Sequence, residues 1–322
     1  SRNGEIWMAL YQKGVFVMPR NPLNFRYYGP KSVRYNCIGS HCVTSLLRSH
    51  DGNLWVATDN GGLYSIDASG NQLAHFSVTN HSTSVPSAMT TLFEDSRHRI
   101  WIGSYHQGGG WVDLKTGRCT YLPFEGLQGT EPNIYGYVED KRGQIWVATM
   151  GNGLARFDEQ RQCFVPVETV TSCIWSCSMY YNAVTDRLYV GTYSGIVTID
   201  LSTAEPTIVE DIPSTIIFSI TPCSDTQLSL CTNVGLAIYN WQDRTYRLYT
   251  TEDGLPNNNV YASQIDGDGG LWISSNNGLS KFNMQQGTFT NYTLKDGLQA
   301  NEYYKNASMH DADGTLWFGG MD

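Results

Sequence analysis

One short sequence motif repeats along the whole chain, and this repeat limits the folds that the chain can adopt. The clearest copy is LWVATDNGGLYSID at residues 54–67. Related copies stand at residues 6–18, 100–114, 145–158, 188–200, 228–240, 271–283 and 316–322. Aligned on the Trp position, successive copies are 48, 46, 45, 43, 40, 43 and 45 residues apart. A period of about 44 residues is typical of propeller blades built from four strands.

Each copy has the pattern of β-strands joined by tight turns. In the clearest copy, a run of apolar and β-branched residues is followed by a Gly-rich turn at residues 60–62 and a second run at residues 63–66. Such a pair predicts a hairpin. An alternating run precedes each hairpin, as at residues 90–95, and another follows it, as at residues 289–292. We name the four strands A, B, C and D in chain order, with the Trp on strand B. No stretch has a sustained helical period, so we predict an all-β fold.

The composition of the chain limits the kinds of molecule that it can bind. A net charge of −9 argues against nucleic acid and anionic membrane surfaces as partners. No apolar run approaches the length of a membrane span. The 322 residues would ordinarily favour two domains, but the continuous repeat favours one ring of blades over residues 1–322. Because the chain begins at Ser1, we expect it to be part of a longer protein.

The two ends of the chain carry complementary parts of the repeat. Residues 1–28 supply strands B, C and D, and residues 302–322 supply A and B. We therefore predict that strands C and D at residues 14–17 and 25–28 complete the sheet begun by the C-terminal segment. That closure gives a seven-bladed propeller of four-stranded antiparallel blades, with no exposed strand edge and one B strand in surplus. In the alternative arrangement, residues 1–28 end a preceding propeller.

The repeat resembles a known family. Its consensus is hydrophobic-Trp-hydrophobic, Gly or Ala, Thr or Ser, two variable residues and Gly-Leu, with an Asp-x-x-Gly turn before it. The best copies are residues 51–67, 140–158, 268–283 and 313–320, and Asp-Gly-Leu connectors stand at 253–255 and 296–298. This pattern is similar to the regulator-propeller repeat of the sensor regions of hybrid two-component systems in gut Bacteroidetes. Residues 11–43 resemble the entry to the second propeller of such sensors, and residues 301–322 resemble its last blade. The copies carrying Tyr189 and Ser229 depart from the pattern by lacking the Trp.

The resemblance implies a function in signal transduction. Such sensors are periplasmic, detect glycans or oligosaccharides and regulate genes for polysaccharide utilisation. The parent protein would be a histidine kinase that forms a homodimer and reaches the membrane only through parts that follow this region. We expect no cofactor and no catalytic residues. Two alternatives remain: a propeller hydrolase or lyase acting on polysaccharide, and a spacer or dimerisation propeller that binds no ligand.

Candidate ligand-binding residues lie in the connections that surround one mouth of a propeller channel. These are the B–C and D–A connections, which share a face. Aromatic side chains there can stack on sugar rings, while amides and carboxylates can bind hydroxyl groups. The candidates are Tyr11, Arg34, Tyr35, Asp59, Asn60, Tyr105, His106, Gln107, Trp175, Tyr193 and Asn276. The competing interpretation is that Asn and Asp at these positions only serve tight turns. The strand-B Trp residues are interpreted as packing between blades.

Metal and disulfide signals are weak. The segments 266–269 and 311–314 look like fragments of a calcium loop but lack its closing acidic residue, so we predict no metal site. The spacing of the eight cysteines matches no zinc pattern. Cys37 with Cys42 is the one local disulfide considered. The Asp-x-x-Gly-x-Leu-Trp turn at residues 51–55 resembles the Asp-box of sialidases, which is structural and does not argue for hydrolysis.

Overall fold

The computed structural model describes residues 6–10, 14–18, 25–39, 42–78, 84–127, 131–167, 173–203, 205–208 and 215–321. Over these residues the chain is built from β-strands, with short 3-10 helices at Thr251–Asp253 and Leu294–Asp296. Each of these two helices ends in a glycine, Gly254 or Gly297, in the left-handed conformation that an Asp-Gly-Leu connector supplies. None of the helices among the described residues is long and apolar enough to cross a membrane.

The strands form six four-stranded antiparallel sheets and two two-stranded sheets. The first three four-stranded sheets comprise β3 (Val43–Arg48), β4 (Leu54–Thr58), β5 (Gly62–Ile66), β6 (Gln72–Phe76), β7 (Met89–Glu94), β8 (Ile100–Ser104), β9 (Gly109–Asp113), β10 (Arg118–Tyr121), β11 (Asn133–Glu139), β12 (Ile145–Met150), β13 (Leu154–Asp158) and β14 (Cys163–Pro166). The next three comprise β15 (Ser176–Asn182), β16 (Arg187–Thr192), β17 (Gly195–Asp200), β18 (Glu205–Ile208), β19 (Ile217–Pro222), β20 (Gln227–Thr232), β21 (Leu236–Asn240), β22 (Thr245–Tyr249), β23 (Val260–Ile265), β24 (Leu271–Ser275), β25 (Gly278–Asn283) and β26 (Thr288–Tyr292). The two-stranded sheets pair β1 (Ile6–Leu10) with β2 (Gly14–Met18), and β27 (Tyr303–His310) with β28 (Leu316–Gly320).

The six four-stranded sheets are propeller blades, each with its four strands in chain order. The first strands of successive blades pack against one another, and β27 packs against both β23 and β3, which closes the ring. Large apolar side chains fill the interfaces between neighbouring blades, which we call seams. Trp101, for example, is fully buried between the second and third blades. The all-β propeller of four-stranded antiparallel blades predicted from the repeat is therefore confirmed.

The predicted number of seven blades is wrong, because the described residues form six four-stranded blades. The C-terminal segment forms a sheet of two strands, β27 and β28, rather than a four-stranded blade. The predicted closure by the N-terminal strands is not formed: β2 pairs with β1, from Ile6 opposite Met18 to Leu10 opposite Gly14. Residues 25–28 are not a strand, although Phe25 packs on Trp272. The repeat identifies hairpins, whose pairing is local, but it does not encode which distant edge a terminal strand joins.

The turn between strands A and B supports the Trp of strand B. The Nε1 of Trp101 donates a hydrogen bond to Oδ2 of Asp95 at 2.9 Å, and Nε1 of Trp146 donates to Oδ2 of Asp140 at 3.1 Å. A buried indole N–H needs such an acceptor. The repeated Asp-x-x-Gly turn therefore serves the packing between blades.

All eight cysteines have free thiols. Cys37 and Cys42, the one local pair considered above, do not form a disulfide: the thiols lie near the carbonyl oxygens of Tyr35 and Val43 instead. Burial raises the pKa of Cys42 to about 11. Together with the burial of most other thiols, this fits the interpretation of the cysteines as small apolar residues.

Candidate functional site

The innermost strand of every four-stranded blade has a register shift at the same level. It leaves one residue of that strand without an opposite partner: Thr44, Thr90, Tyr135, Cys177, Phe218 and Tyr261. A β-bulge of this kind bends the strand and redirects a side chain. Because these strands surround the central channel, the bulges form a ring at one depth of it.

The strand β27 has a much larger bulge. Tyr303 pairs with Gly320 and Ser308 pairs with Phe318, so three extra residues are accommodated on β27 between these two pairs. Asn306 within it has φ of 62°, in the left-handed region. We call residues 304–307 the channel plug, because they leave the ladder and reach the opposite side of the ring.

The contacts of Asn306 show how far the channel plug reaches. Its Nδ2 donates to the carbonyl oxygen of Tyr135 at 3.4 Å and to that of Cys177 at 3.3 Å. These acceptors are the bulged residues of the third and fourth blades. The plug therefore crosses the channel and satisfies carbonyl groups that the bulges release from the ladders.

Lys305 of the channel plug lies over an aromatic ring. Its Nζ is 4.3 Å from the centroid of the Tyr135 ring, which is a favourable cation–π distance. Burial lowers the pKa of the Lys305 ammonium below its ordinary value, and proximity to Cys177 partly opposes this. Among the ion pairs found within the described residues, none involves Lys305. Within the part of the chain that the structure describes, the Lys305 ammonium therefore has no carboxylate partner.

Tyr304 of the channel plug lies close to three tyrosines of the blades, and we call the four the tyrosine cluster: Tyr105, Tyr135, Tyr193 and Tyr304. Burial raises the pKa of Tyr135, and the neighbouring Tyr304, Tyr193 and Tyr105 raise it further. Burial also raises the pKa of Tyr304 to about 12, with smaller contributions from Cys42 and Asp59. The phenols of Tyr135 and Tyr304 are therefore neutral at ordinary pH and can donate hydrogen bonds.

An aromatic wall rises from this cluster into solvent. Trp175 is 53 % exposed and Tyr193 is 38 % exposed, with ring centroids 6.1 Å apart and planes at 71°. The backbone fixes this wall, since the N–H of Tyr193 donates to the carbonyl of Trp175 at 3.0 Å and Met150 forms a β-bridge with Trp175. An exposed, rigidly held tryptophan is unusual for a packing residue and is typical of a stacking surface.

The second exposed aromatic group is the pair in the expanded B–C loop of the second blade. Tyr105 is 42 % exposed, and its ring centroid is 3.8 Å from that of His106. The N–H of Tyr105 donates to the carbonyl of Ala88, and the N–H of His106 donates to Oδ1 of Asn133 at 2.7 Å. Main-chain hydrogen bonds thus hold both side chains at the rim.

Several predicted amides serve the loops themselves. Asn60 has φ of 61°, and its N–H donates to the carbonyl of Ser87. Oε1 of Gln107 accepts from both the N–H and the hydroxyl of Ser87 at 2.8 Å. Oδ1 of Asn276 accepts from the hydroxyl of Tyr261 at 2.8 Å. Gln107 and the backbone of Asn60 thus join adjacent loops, and Asn276 bonds strand β23 of its own blade. Asp59, exposed and close to Tyr304, is the polar candidate nearest the tyrosine cluster.

Arg34 and Tyr35 lie apart from the other candidates. Tyr35 stacks on Tyr28 with centroids 4.5 Å apart, and its ring lies beside Gly70 in the C–D turn of the first blade. The guanidinium of Arg34 lies over the Tyr35 ring at 5.2 Å. The structure therefore does not bring these two residues to the B–C loops. Tyr11 lies outside the described residues.

Sequence reasoning missed the floor of the site. The repeat pattern does not single out Tyr135, Tyr304, Lys305 or Asn306, yet they form the base of the channel mouth. One signal was present: the last strand A reads YYKNASMH, which is longer than its counterparts and interrupts their alternation of apolar and polar residues. The arrangement offers stacking faces, neutral phenols, the carboxylate of Asp59 and the partly buried ammonium of Lys305, which together can bind a polar ligand with flat apolar faces.

Comparison with known proteins agrees with this architecture. Residues 37–60 and 254–277 match the family described as two component regulator propeller. The extracellular domain assigned to a hybrid two component system of B. thetaiotaomicron has a TM-score of 0.83 at 20 % sequence identity, covering 99 % of this chain and 43 % of that one. The extracellular domain assigned to a one component system of the same organism has a TM-score of 0.54 at 21 % identity, covering 86 % and 40 %.

A propeller enzyme is also similar in fold. Virginiamycin B lyase from Staphylococcus aureus has a TM-score of 0.66 at 16 % identity, covering 87 % of this chain and 92 % of the lyase. No curated protein sequence matches the chain. At these identities the structural similarities establish the fold. This chain spans less than half the length of the two extracellular domains.

Proposed function

We propose that this chain is an extracytoplasmic sensor domain of a two-component regulatory protein, and that it binds an oligosaccharide at the channel mouth. The observation that carries the proposal is the pair of exposed aromatic groups, Trp175 with Tyr193 and Tyr105 with His106, on either side of a polar floor. Aromatic faces stack on the C–H faces of sugars, and phenols and carboxylates bind hydroxyl groups.

The sensor part of the proposal draws on two independent similarities. The repeats match a two-component regulator family, and the fold matches extracellular domains assigned to regulatory systems. We propose further that the chain lies in a periplasmic region, as the second propeller of a homodimeric histidine kinase that controls genes for polysaccharide utilisation.

The charge at the channel mouth favours one class of oligosaccharide. Lys305 is partly buried over Tyr135 and has no carboxylate partner among the ion pairs of the described residues, and this arrangement favours a ligand that carries its own negative charge. Uronic acid or sulfated units supply such a charge. We therefore expect acidic oligosaccharides to bind more tightly than neutral ones of the same length.

The test is calorimetric titration of the chain with matched neutral and acidic oligosaccharides, followed by product analysis of the same samples. Heat of binding without new products supports a sensor. New products would overturn this assignment in favour of a lyase or hydrolase, the alternative to which the similarity with virginiamycin B lyase gives a structural precedent. Absence of both heat and products across the panel would leave a spacer or dimerisation propeller as the function.

A further inference from the structure

Three side chains that can bind a metal converge on the face opposite the channel mouth. His50 lies in the A–B turn of the first blade, and Glu94 and His98 belong to the second blade. Nδ1 of His50 is 2.5 Å from Oε1 of Glu94, and Nδ1 of His98 is 3.3 Å from the same oxygen. The two imidazole rings stack with centroids 3.7 Å apart. One ligand atom from each residue lies within 4.8 Å of the other two.

These distances are close to those of a transition-metal site. Tetrahedral Zn²⁺ with bonds of about 2.0–2.1 Å holds its ligand atoms roughly 3.3 Å from one another. The separation of Nδ1 of His98 from Oε1 of Glu94 already has this value. The shorter contact of His50 is a hydrogen bond, and it would lengthen by a side-chain rotation when an ion replaces the shared proton. Imidazole and carboxylate ligands favour Zn²⁺ and its neighbours over Ca²⁺ or Mg²⁺.

The position of His98 indicates that its side chain has a role beyond the turn. Its backbone φ is 62°, in the left-handed region. Other copies of the repeat have glycine at this position, with positive φ at Gly52, Gly143, Gly269 and Gly314. Glycine adopts this conformation without strain, whereas a β-carbon is disfavoured there. Histidine is one of the non-glycine residues that adopt this conformation more readily, and the other copies show that the turn does not require it, so its side chain is available for another role.

The next seam provides an internal comparison without histidines. Between the second and third blades, Glu139 accepts hydrogen bonds from the N–H of Ser96 at 2.7 Å and from its hydroxyl at 2.6 Å. Glu94 accepts the equivalent bond from the N–H of His50 at 2.8 Å. The hydroxyl of Ser96 thus takes the place on Oε1 of the glutamate that the imidazole of His50 takes at the first seam. The imidazole of His98 is additional to that joint, because the corresponding residue of the third blade is Gly143.

We propose that His50, Glu94 and His98 bind a divalent transition metal ion of the Zn²⁺ class. The ligands are Nδ1 of each histidine and Oε1 of Glu94, with water at the remaining positions. Each ring then carries its proton on Nε2, and the N–H of His50 keeps Oε2 of Glu94 in place. Asp51 lies close enough to His50 to interact with it electrostatically and adds negative charge beside the site. The ion would link the first two blades on the face away from the channel mouth, so this proposal is independent of the oligosaccharide proposal.

The test is titration of the whole chain with Zn²⁺ by calorimetry and with Co²⁺ by visible absorption. The key variant is His98→Gly, which installs the residue that other copies of the repeat carry and should therefore fold. We expect it to lose the tetrahedral Co²⁺ absorption and to weaken Zn²⁺ binding at least about tenfold. Glu94→Gln is a second variant, for use if His98→Gly perturbs the turn. We expect it to have the same effect on Co²⁺ absorption and Zn²⁺ binding.

Two controls separate this site from other histidines and glutamates. Glu139→Gln removes the comparable joint at the next seam, and His106→Ala removes an exposed histidine on the opposite face; both should keep the affinity for Zn²⁺. The proposal is overturned when the wild-type chain shows no saturable Zn²⁺ binding. It is also overturned when His98→Gly and Glu94→Gln bind Zn²⁺ as tightly as the wild type.

Discussion

The side-chain amide of Asn306 donates a hydrogen bond to the carbonyl of Tyr135, a residue 171 positions earlier in the chain and on the other side of the channel. The same amide reaches Cys177 in the next blade. One residue of the last sheet thus contacts two adjacent blades on the far side of the channel. This relationship makes the channel plug both a structural brace and the floor of the proposed binding site.

Replacing Asn306 by glycine should destabilise the fold while preserving its backbone conformation. Glycine tolerates the φ of 62° but cannot donate to the carbonyls of Tyr135 and Cys177. We expect a loss of about 1–3 kcal/mol in the free energy of unfolding, measured by urea denaturation. Asn60→Gly is the control, because Asn60 has nearly the same φ of 61° and its side-chain amide donates to the exposed, neighbouring Asp59. Equal losses in both variants would show that the brace contributes nothing.

Truncating Trp175 should weaken oligosaccharide binding without affecting the fold. The side chain is half exposed, so Trp175→Ala removes a stacking face at little cost in packing. Loss of one aromatic contact corresponds to about 0.5–1.5 kcal/mol, or a change in Kd of a few-fold to about tenfold. Tyr35→Ala is the matched control, since Tyr35 lies by the C–D turn of the first blade. Unchanged affinity in Trp175→Ala would remove the aromatic wall from the proposed site.

The stability of the chain at alkaline pH should depend on Tyr304. Burial raises its pKa to about 12 in the folded state, whereas an unperturbed tyrosine titrates near pH 10. The unfolded chain therefore loses this proton first, and the stability that the neutral phenol contributes is complete below about pH 10 and is lost as the pH rises toward 12. Tyr304→Phe removes this contribution. We expect the free energy of unfolding to fall less steeply between these pH values in the variant, as measured by urea denaturation. Identical slopes in the two proteins would contradict the assigned environment.

Replacing Gly191 or Gly136 by alanine should have different effects on stability, because the two glycines differ in the space around them. A β-carbon on Gly191 would lie 2.8 Å from both the Cβ and the carbonyl oxygen of Ile217 in the next blade. A β-carbon on Gly136 would meet nothing closer than 3.8 Å. We expect Gly191→Ala to cost about 1–3 kcal/mol through overpacking and Gly136→Ala to be close to neutral. Thermal unfolding of the two variants checks this difference, and a neutral Gly191→Ala would mean that the seam relaxes.

Much of the fold could be predicted from the pattern of residues that lie within a few positions of one another in the sequence. Hairpins such as β4 with β5 follow from alternating apolar residues and a glycine turn only a few positions apart. The bond from Trp101 to Asp95 spans six residues and recurs with the repeat. The sequence also predicts that Trp175, in a D–A connection, and Tyr193, in a B–C connection, lie near the channel mouth, because these two kinds of connection share one face of a propeller.

Short-range pattern does not show which strands the chain ends pair with, and it does not show which residues form the floor of the site. The pairing of β2 with β1, the six complete blades and the closing sheet of β27 and β28 depend on which edges meet after the ring has formed. The same holds for the placement of Arg34 and Tyr35, which local sequence assigns only to a connector.

The sequence by itself therefore determined the all-β class, the four-stranded blade and the ring of loops, because each is specified by interactions between residues close together in the chain. Only the tertiary structure decided the number of blades, the contact of Asn306 with Tyr135 and the meeting of His50 with Glu94 and His98. These depend on packing between segments separated by one or more whole repeats. Alternation and turn chemistry carry no information on such distant contacts, since they constrain only the backbone within a few residues.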